Sequence, residues 1–123
     1  MQSVSILRLL KLTILSSLFF LSSYKISYAE MSNLGVLTGG SDSYANGVSS
    51  DGSIIVGYSG STDGTRAFKY VDGTMTNLGT LTGGSELSTA NDVSSDGSVI
   101  VGYSDSTDGK RAYKYVDGTM TSL

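Results

Sequence analysis

Two stretches decide how this chain is read: Ala45–Ser59, ANGVSSDGSIIVGYS, and Ala90–Ser104, ANDVSSDGSVIVGYS. Each reads as a short strand of small residues, an Asp-Gly turn and a β-branched strand, a hairpin signature. Carried on to Met75 and Met120, the two stretches align over 31 positions and match at 26 of them. The differences are Gly47/Asp92, Ile54/Val99, Gly60/Asp105, Thr65/Lys110 and Phe68/Tyr113. Met31 aligns with Met75 at a period of 44, and Ala45 with Ala90 at 45, because one extra residue sits near Glu86-Leu87-Ser88. A repeat of this length and fidelity is an internal duplication, with one supersecondary unit per copy.

Outward from that core, turn and strand signals alternate regularly. Asp51-Gly52, Asp63-Gly64 and Asp72-Gly73 punctuate the first copy, and Asp96-Gly97, Asp108-Gly109 and Asp117-Gly118 the second. Between them lie Asn46–Ser50, Ser53–Ser59, Arg66–Val71 and Thr74–Leu78. All three turns are expected to be two-residue hairpin loops, which makes each copy a four-stranded antiparallel meander. In Ser53–Ser59 the period of two puts Ile54, Val56 and Tyr58 on one face and Ile55 and Gly57 on the other. In Arg66–Val71, Phe68 and Tyr70 oppose Ala67, Lys69 and Val71. Both faces are partly apolar, so each meander needs a sheet beside it. The expectation is all-β, with the two meanders packed through Ile54, Val56 and Phe68 of the first and Val99, Val101 and Tyr113 of the second. Stacked four-stranded units of about 44 residues are the pattern of β-propeller blades. A parallel β-helix fits less well, because closely spaced Asp-Gly turns favour hairpins over crossovers.

The N-terminus is a different kind of sequence. Arg8 and Lys11 precede an apolar run, Leu12–Leu21, and Ser27-Tyr28-Ala29 is a small-x-small cleavage site. The apolar run is too short for a membrane-spanning helix, which needs about 20 residues. Residues 1–29 are therefore expected to be a helical signal peptide, cut before Glu30, with no membrane insertion after cleavage. The mature part, residues 30–123, then comprises repeats 31–74 and 75–119 and the start of a third. The earlier copies run on past Met-Thr-Asn/Ser-Leu into Leu-Gly-x-Leu-Thr-Gly-Gly, and the chain stops at Leu123. Two blades where closed propellers have about four to eight suggest an incomplete propeller, the truncated front of a longer ancestor, whose open faces favour self-association.

Composition narrows function. The chain has no His, no Cys and no Pro, which removes the usual general base, disulfides and thiolate metal sites. Beyond Ala29 five basic residues face eleven acidic ones, a net charge of −6, which gives no footprint for nucleic acid. Asp105-Ser-Thr-Asp108-Gly109 resembles part of a calcium loop, but Val116 stands where the closing Glu is needed. Gly39-Gly40-Ser41-Asp42 likewise lacks the Gly-Gly-x-Gly-x-Asp calcium pattern. The Asp residues precede turn glycines and read as turn chemistry. No catalytic, cofactor or metal residue is assigned. Tyr58, Tyr103, Tyr70 and Tyr115 are read as core or blade contacts rather than a binding surface. Arg66 and Arg111 are expected to pair with an Asp of the neighbouring unit.

The string N-x-V-S-x-D-G-S-x-I-V-G-Y-S, followed by Arg66-Ala67-Phe68 or Arg111-Ala112-Tyr113 and linked by Leu34–Gly40 and Leu78–Gly84, resembles the HAF family of bacterial extracellular repeats. The resemblance spans Met31–Leu123. Tyr70 and Tyr115 stand where that family often has Trp, and two units stand where it has several. It implies propeller-type blades in exported proteins and in passenger regions of Gram-negative autotransporters, and it implies no shared catalytic residues. The expected function is an exported non-enzymatic repeat protein, secreted, periplasmic or on the cell surface, whose protein or glycan ligand is unspecified. The alternative is an extracellular hydrolase or lyase on a propeller scaffold.

Overall fold

A computed structural model describes residues 29–123. The expected signal peptide, up to Tyr28, lies outside the described residues. Residues 29–32 carry no secondary structure. From Asn33 onward the chain forms one compact unit of eight strands. These are β1 (Ser43–Val48), β2 (Ile54–Ser61), β3 (Gly64–Val71), β4 (Thr74–Asn77), β5 (Ser88–Val93), β6 (Val99–Ser104), β7 (Arg111–Val116) and β8 (Thr119–Ser122). They make two four-stranded antiparallel sheets, β1-β2-β3-β4 and β5-β6-β7-β8, each a plain meander in chain order.

The three turns of each meander differ. Asp72-Gly73 is a true two-residue hairpin loop closed by the Val71–Thr74 pair, with φ of 48° and 82°. Asp117-Gly118 repeats it at 47° and 81°. Both residues are left-handed, the conformation that matches the twist of the flanking strands. The Asp51-Gly52 turn is longer than expected. Ser49 N–H donates to Ile54 O, so four residues form the loop, and only Gly52 has positive φ. The reason is local: the Asp51 carboxylate accepts from Ser49 Oγ, Ser53 N–H and Ser53 Oγ, and these bonds favour a wider turn over a tight one. At the middle turn the two loop residues are Thr62-Asp63, closed by the Ser61–Gly64 pair, so Gly64 already belongs to β3. A bulge between Ala45 and Gly47, repeated between Ala90 and Asp92, leaves Asn46 and Asn91 unpaired.

The sheets stack with β5 against β1, β2 and β3. Val56, Ala67 and Leu78 of the first sheet meet Ala90, Val93 and Ile100 of the second, flanked by Ile54, Tyr115 and Met120. This corrects the expected pairing of faces. In register, Val56 lies opposite Lys69, and Phe68 opposite Gly57, so Phe68 is on the far side of the first sheet from Val56. Val99 and Val101 are on the far side of the second sheet from Ile100. Tyr113 does share a face with Ile100, through its pairing with Gly102. The copies stack front to back, as successive repeats do, rather than with like faces together. The front of the first sheet meets the back of the second.

Polar bonds run across the same seam. Ser50 N–H and Oγ both donate to Ser95 O, at 3.0 and 2.9 Å. Asn46 Nδ2, freed by the bulge, donates to Ala90 O at 2.8 Å. Ala67 N–H donates to Ser88 Oγ at 2.9 Å, and Ser88 Oγ donates to Gly79 O. The Ala67–Ser88 bond is buried and so offsets a desolvation cost, whereas the Asn46 bond is partly buried and the Ser50 hydroxyl bond lies at the exposed rim of the seam. Among the described residues no buried side-chain nitrogen or oxygen lacks a partner.

Candidate functional site

A concavity lies between the sheets. β5 holds them together, and further out β3 and β4 stand apart from β6 and β7. The cleft that opens there has a volume of about 440 Å³ and is lined by Lys69, Thr76, Leu78, Ile100, Tyr115 and Asp117 among others. Leu78 and Ile100 form its apolar floor as part of the core. Lys69 comes from β3, and Asp117 from the turn before β8. The cleft thus offers one cation, one carboxylate, the Thr76 and Ser98 hydroxyls and an aromatic ring over an apolar base. That set can hydrogen-bond and stack against a small polar molecule. Among the described residues no hydrogen bond joins the Thr76 or Ser98 hydroxyl to Lys69 or Asp117, and Ser98 Oγ donates to Asp96 instead. A second hollow of about 390 Å³, lined by Leu37, Asp63, Met75 and Asn77 among others, sits at the edge of the first sheet.

The Asp residues singled out in the sequence are scattered. Hydrogen bonds from Ser49 Oγ, then Ser53 N–H and Oγ, hold the Asp51 carboxyl down at about 2. Ser94 and Ser98 do the same for Asp96, again to about 2. Each donor favours the ionised form. These two carboxylates are thereby tied into their own loops. Asp105, Asp108 and Asp42 are not brought together, and no group of three or more acidic side chains able to hold a metal occurs among the described residues.

The four tyrosines do not form one surface. Tyr58 stacks on Tyr44, with ring centroids 4.9 Å apart and planes inclined by 21°. Tyr103, its copy, lies under the Lys110 ammonium at 4.9 Å. Tyr115 packs against the core between the sheets, and Tyr70 is half-buried. Tyr113, unremarked as a polar group in the sequence, is fully buried and donates its hydroxyl to Thr89 O at 3.0 Å. Burial pushes its phenol well above the usual range. Its counterpart Phe68 has no hydroxyl to make this bond.

Arg66 does not pair with an Asp. Its guanidinium donates to the backbone carbonyls of Thr65 and Ser85, and it is buried where the loop before β5 covers it. Arg111 has no such cover and donates to Lys110 O. The linkers are anchored by residues the sequence reading passed over. Leu37 N–H donates to Ser59 Oγ, and Leu81 N–H to Ser104 Oγ. Both leucines and both serines are buried. Small hydroxyls at repeated positions inside β-rich segments were the available signal. No family model, curated protein or solved structure matches the chain.

Proposed function

We propose that the chain is an exported, non-enzymatic repeat module that acts through its sheet faces, secreted or displayed at the cell surface. The observation that carries this reading is a contrast between identical positions. Val56 is 0% exposed in the first sheet, and its copy Val101 is 38% exposed in the second. Val93 is 8% exposed, and its copy Val48 is 56%. Each of the two faces is covered once inside the chain and left exposed once at an outer side, the front at Val101 and the back at Val48. Apolar side chains left exposed where their copies are buried mark these faces as contact surface.

The leader sequence supports export, and the stacked four-stranded units support blade-like repeats of the type the HAF resemblance implies. A glycoside hydrolase would use an acid–base pair of carboxylates, and Asp51 and Asp96 are engaged by serines in their own loops. Fractionation with intact-mass measurement tests the reading. A product beginning at Glu30 outside the cytoplasm is expected, and a cytoplasmic species retaining Met1 would overturn it. Polysaccharide panels should show no sugar release. Turnover that disappears in Asp117→Asn would place catalysis in the cleft and overturn the non-enzymatic reading.

A further inference from the structure

We infer that copies of this chain dock head to tail, the outward face of the second sheet in one copy receiving the outward face of the first sheet in the next. This rests on the reading of the sheet faces as contact surfaces and names their partner. The seam inside the chain is the template. It joins the front of one repeat to the back of the other, and the two repeats differ at only five of 31 aligned positions. The outward front carries half-buried Val99 and exposed Val101 and Ala112 where the covered front carries Ile54, Val56 and Ala67. The outward back carries exposed Ala45 and Val48 and half-buried Ile55 where the covering back carries Ala90, Val93 and Ile100.

The polar half of the seam is also present and waiting. Ala67 N–H is received by Ser88 Oγ, which is held by Gly79 O. At the bare back Ser43 Oγ is already held by Gly35 O in the same way, placed to receive Ala112 N–H of another copy. Asn91 and Ala45 O repeat the donor and acceptor of the Asn46–Ala90 bond, and Ser95 and Ser50 repeat those of Ser50 and Ser95. The side-chain differences act in both directions: Asp92 stands where Gly47 of the internal seam leaves only 3.1 Å between an added Cβ and the opposite backbone, so that edge must open slightly, whereas the Thr65/Lys110 difference suits a second copy. Thr65 N–H meets Glu86 O in the internal seam. The matching positions are Lys110 and, one residue shorter, the loop at Asp42, so a cation comes beside a carboxylate. The contact is heterologous, because the two faces differ, and it therefore continues from copy to copy.

Single cysteines test the geometry, since the chain has none of its own. A side chain at Gly97 would place its Cβ 3.7 Å from Ile54 Cβ, which is disulfide spacing. The corresponding intermolecular pair is Val99 in one copy and Gly52 in the next. Full-length Val99→Cys and Gly52→Cys chains, mixed and oxidised, should cross-link to each other and not to themselves. Adding Val101→Asp to the first should cut the yield about tenfold or more, because it buries an unpaired charge. A Val99→Cys chain that cross-links mainly to itself would show like faces meeting and overturn the inference. Sedimentation gives a second measurement that needs no change at Gly52. The unaltered chain should associate, and Val101→Asp should not while keeping its β spectrum. An unaltered chain that stays monomeric at roughly 100 μM, the weak end of specific association, would overturn it. Fractionation reads export independently, so failure of docking and failure of the exported-module reading are distinguishable.

Discussion

Val56→Ala and Val101→Ala make the same chemical change at two copies of one position, and the fold predicts unequal costs. Val56 is 0% exposed and packed between the sheets. Truncation removes two buried carbon groups at about 0.8 kcal/mol each, and the cavity left behind adds about 1 kcal/mol. The expected loss is about 2–3 kcal/mol. Val101 is 38% exposed on the outward face, so in dilute solution its truncation should cost less than about 1 kcal/mol. A unit of this size has about 5–14 kcal/mol of stability in all, so the first loss is a large fraction. Urea unfolding followed by circular dichroism, below the concentration at which copies associate, reads the difference. With an m-value of about 1 kcal/mol/M, the midpoint should fall by about 2–3 M for Val56→Ala and by under about 1 M for Val101→Ala. Equal shifts would refute front-to-back stacking, because they would mean that both valines are equally buried.

Ser88→Ala removes the buried acceptor of Ala67 N–H and should cost about 1–3 kcal/mol. Ser43→Ala, whose hydroxyl bonds only within its own linker, should cost visibly less by the same unfolding measurement. Gly57→Ala and Gly102→Ala should each destabilise by about 1–3 kcal/mol or prevent folding, because a Cβ there collides with the carbonyl oxygens of Tyr44 and Thr89. Thermal scans would show it, and an unchanged midpoint would contradict the close strand approach. Asp51 and Asp96 have folded values of about 2, below the ordinary 3.8. Their contribution to stability is therefore present above about pH 4 and is lost as pH falls toward 2. Melting temperature followed over that window should drop, and the drop should shrink in the Asp51→Asn, Asp96→Asn chain.

The sequence by itself determined the repeat, the eight strands and their meander order. Those follow from local causes: β-branched runs bounded by Asp-Gly, and a period of two that any strand must obey. It also determined that Asp72-Gly73 and Asp117-Gly118 are tight hairpin turns, since both residue types accept positive φ. It did not determine the width of the Asp51 and Asp96 loops, which depends on serines flanking each Asp and bonding to it. Nor did it decide which faces meet. Ile54 and Val56 on one side, and Ile55 and Phe68 on the other, are equally apolar, so hydrophobic pattern cannot choose between them. Only the tertiary structure chose, through cross-strand register and through the front-to-back relation that two copies of one unit adopt. The cleft beside Lys69 and Asp117 was illegible for the same reason. Its two charges lie on different copies and line one cleft only after the sheets have stacked.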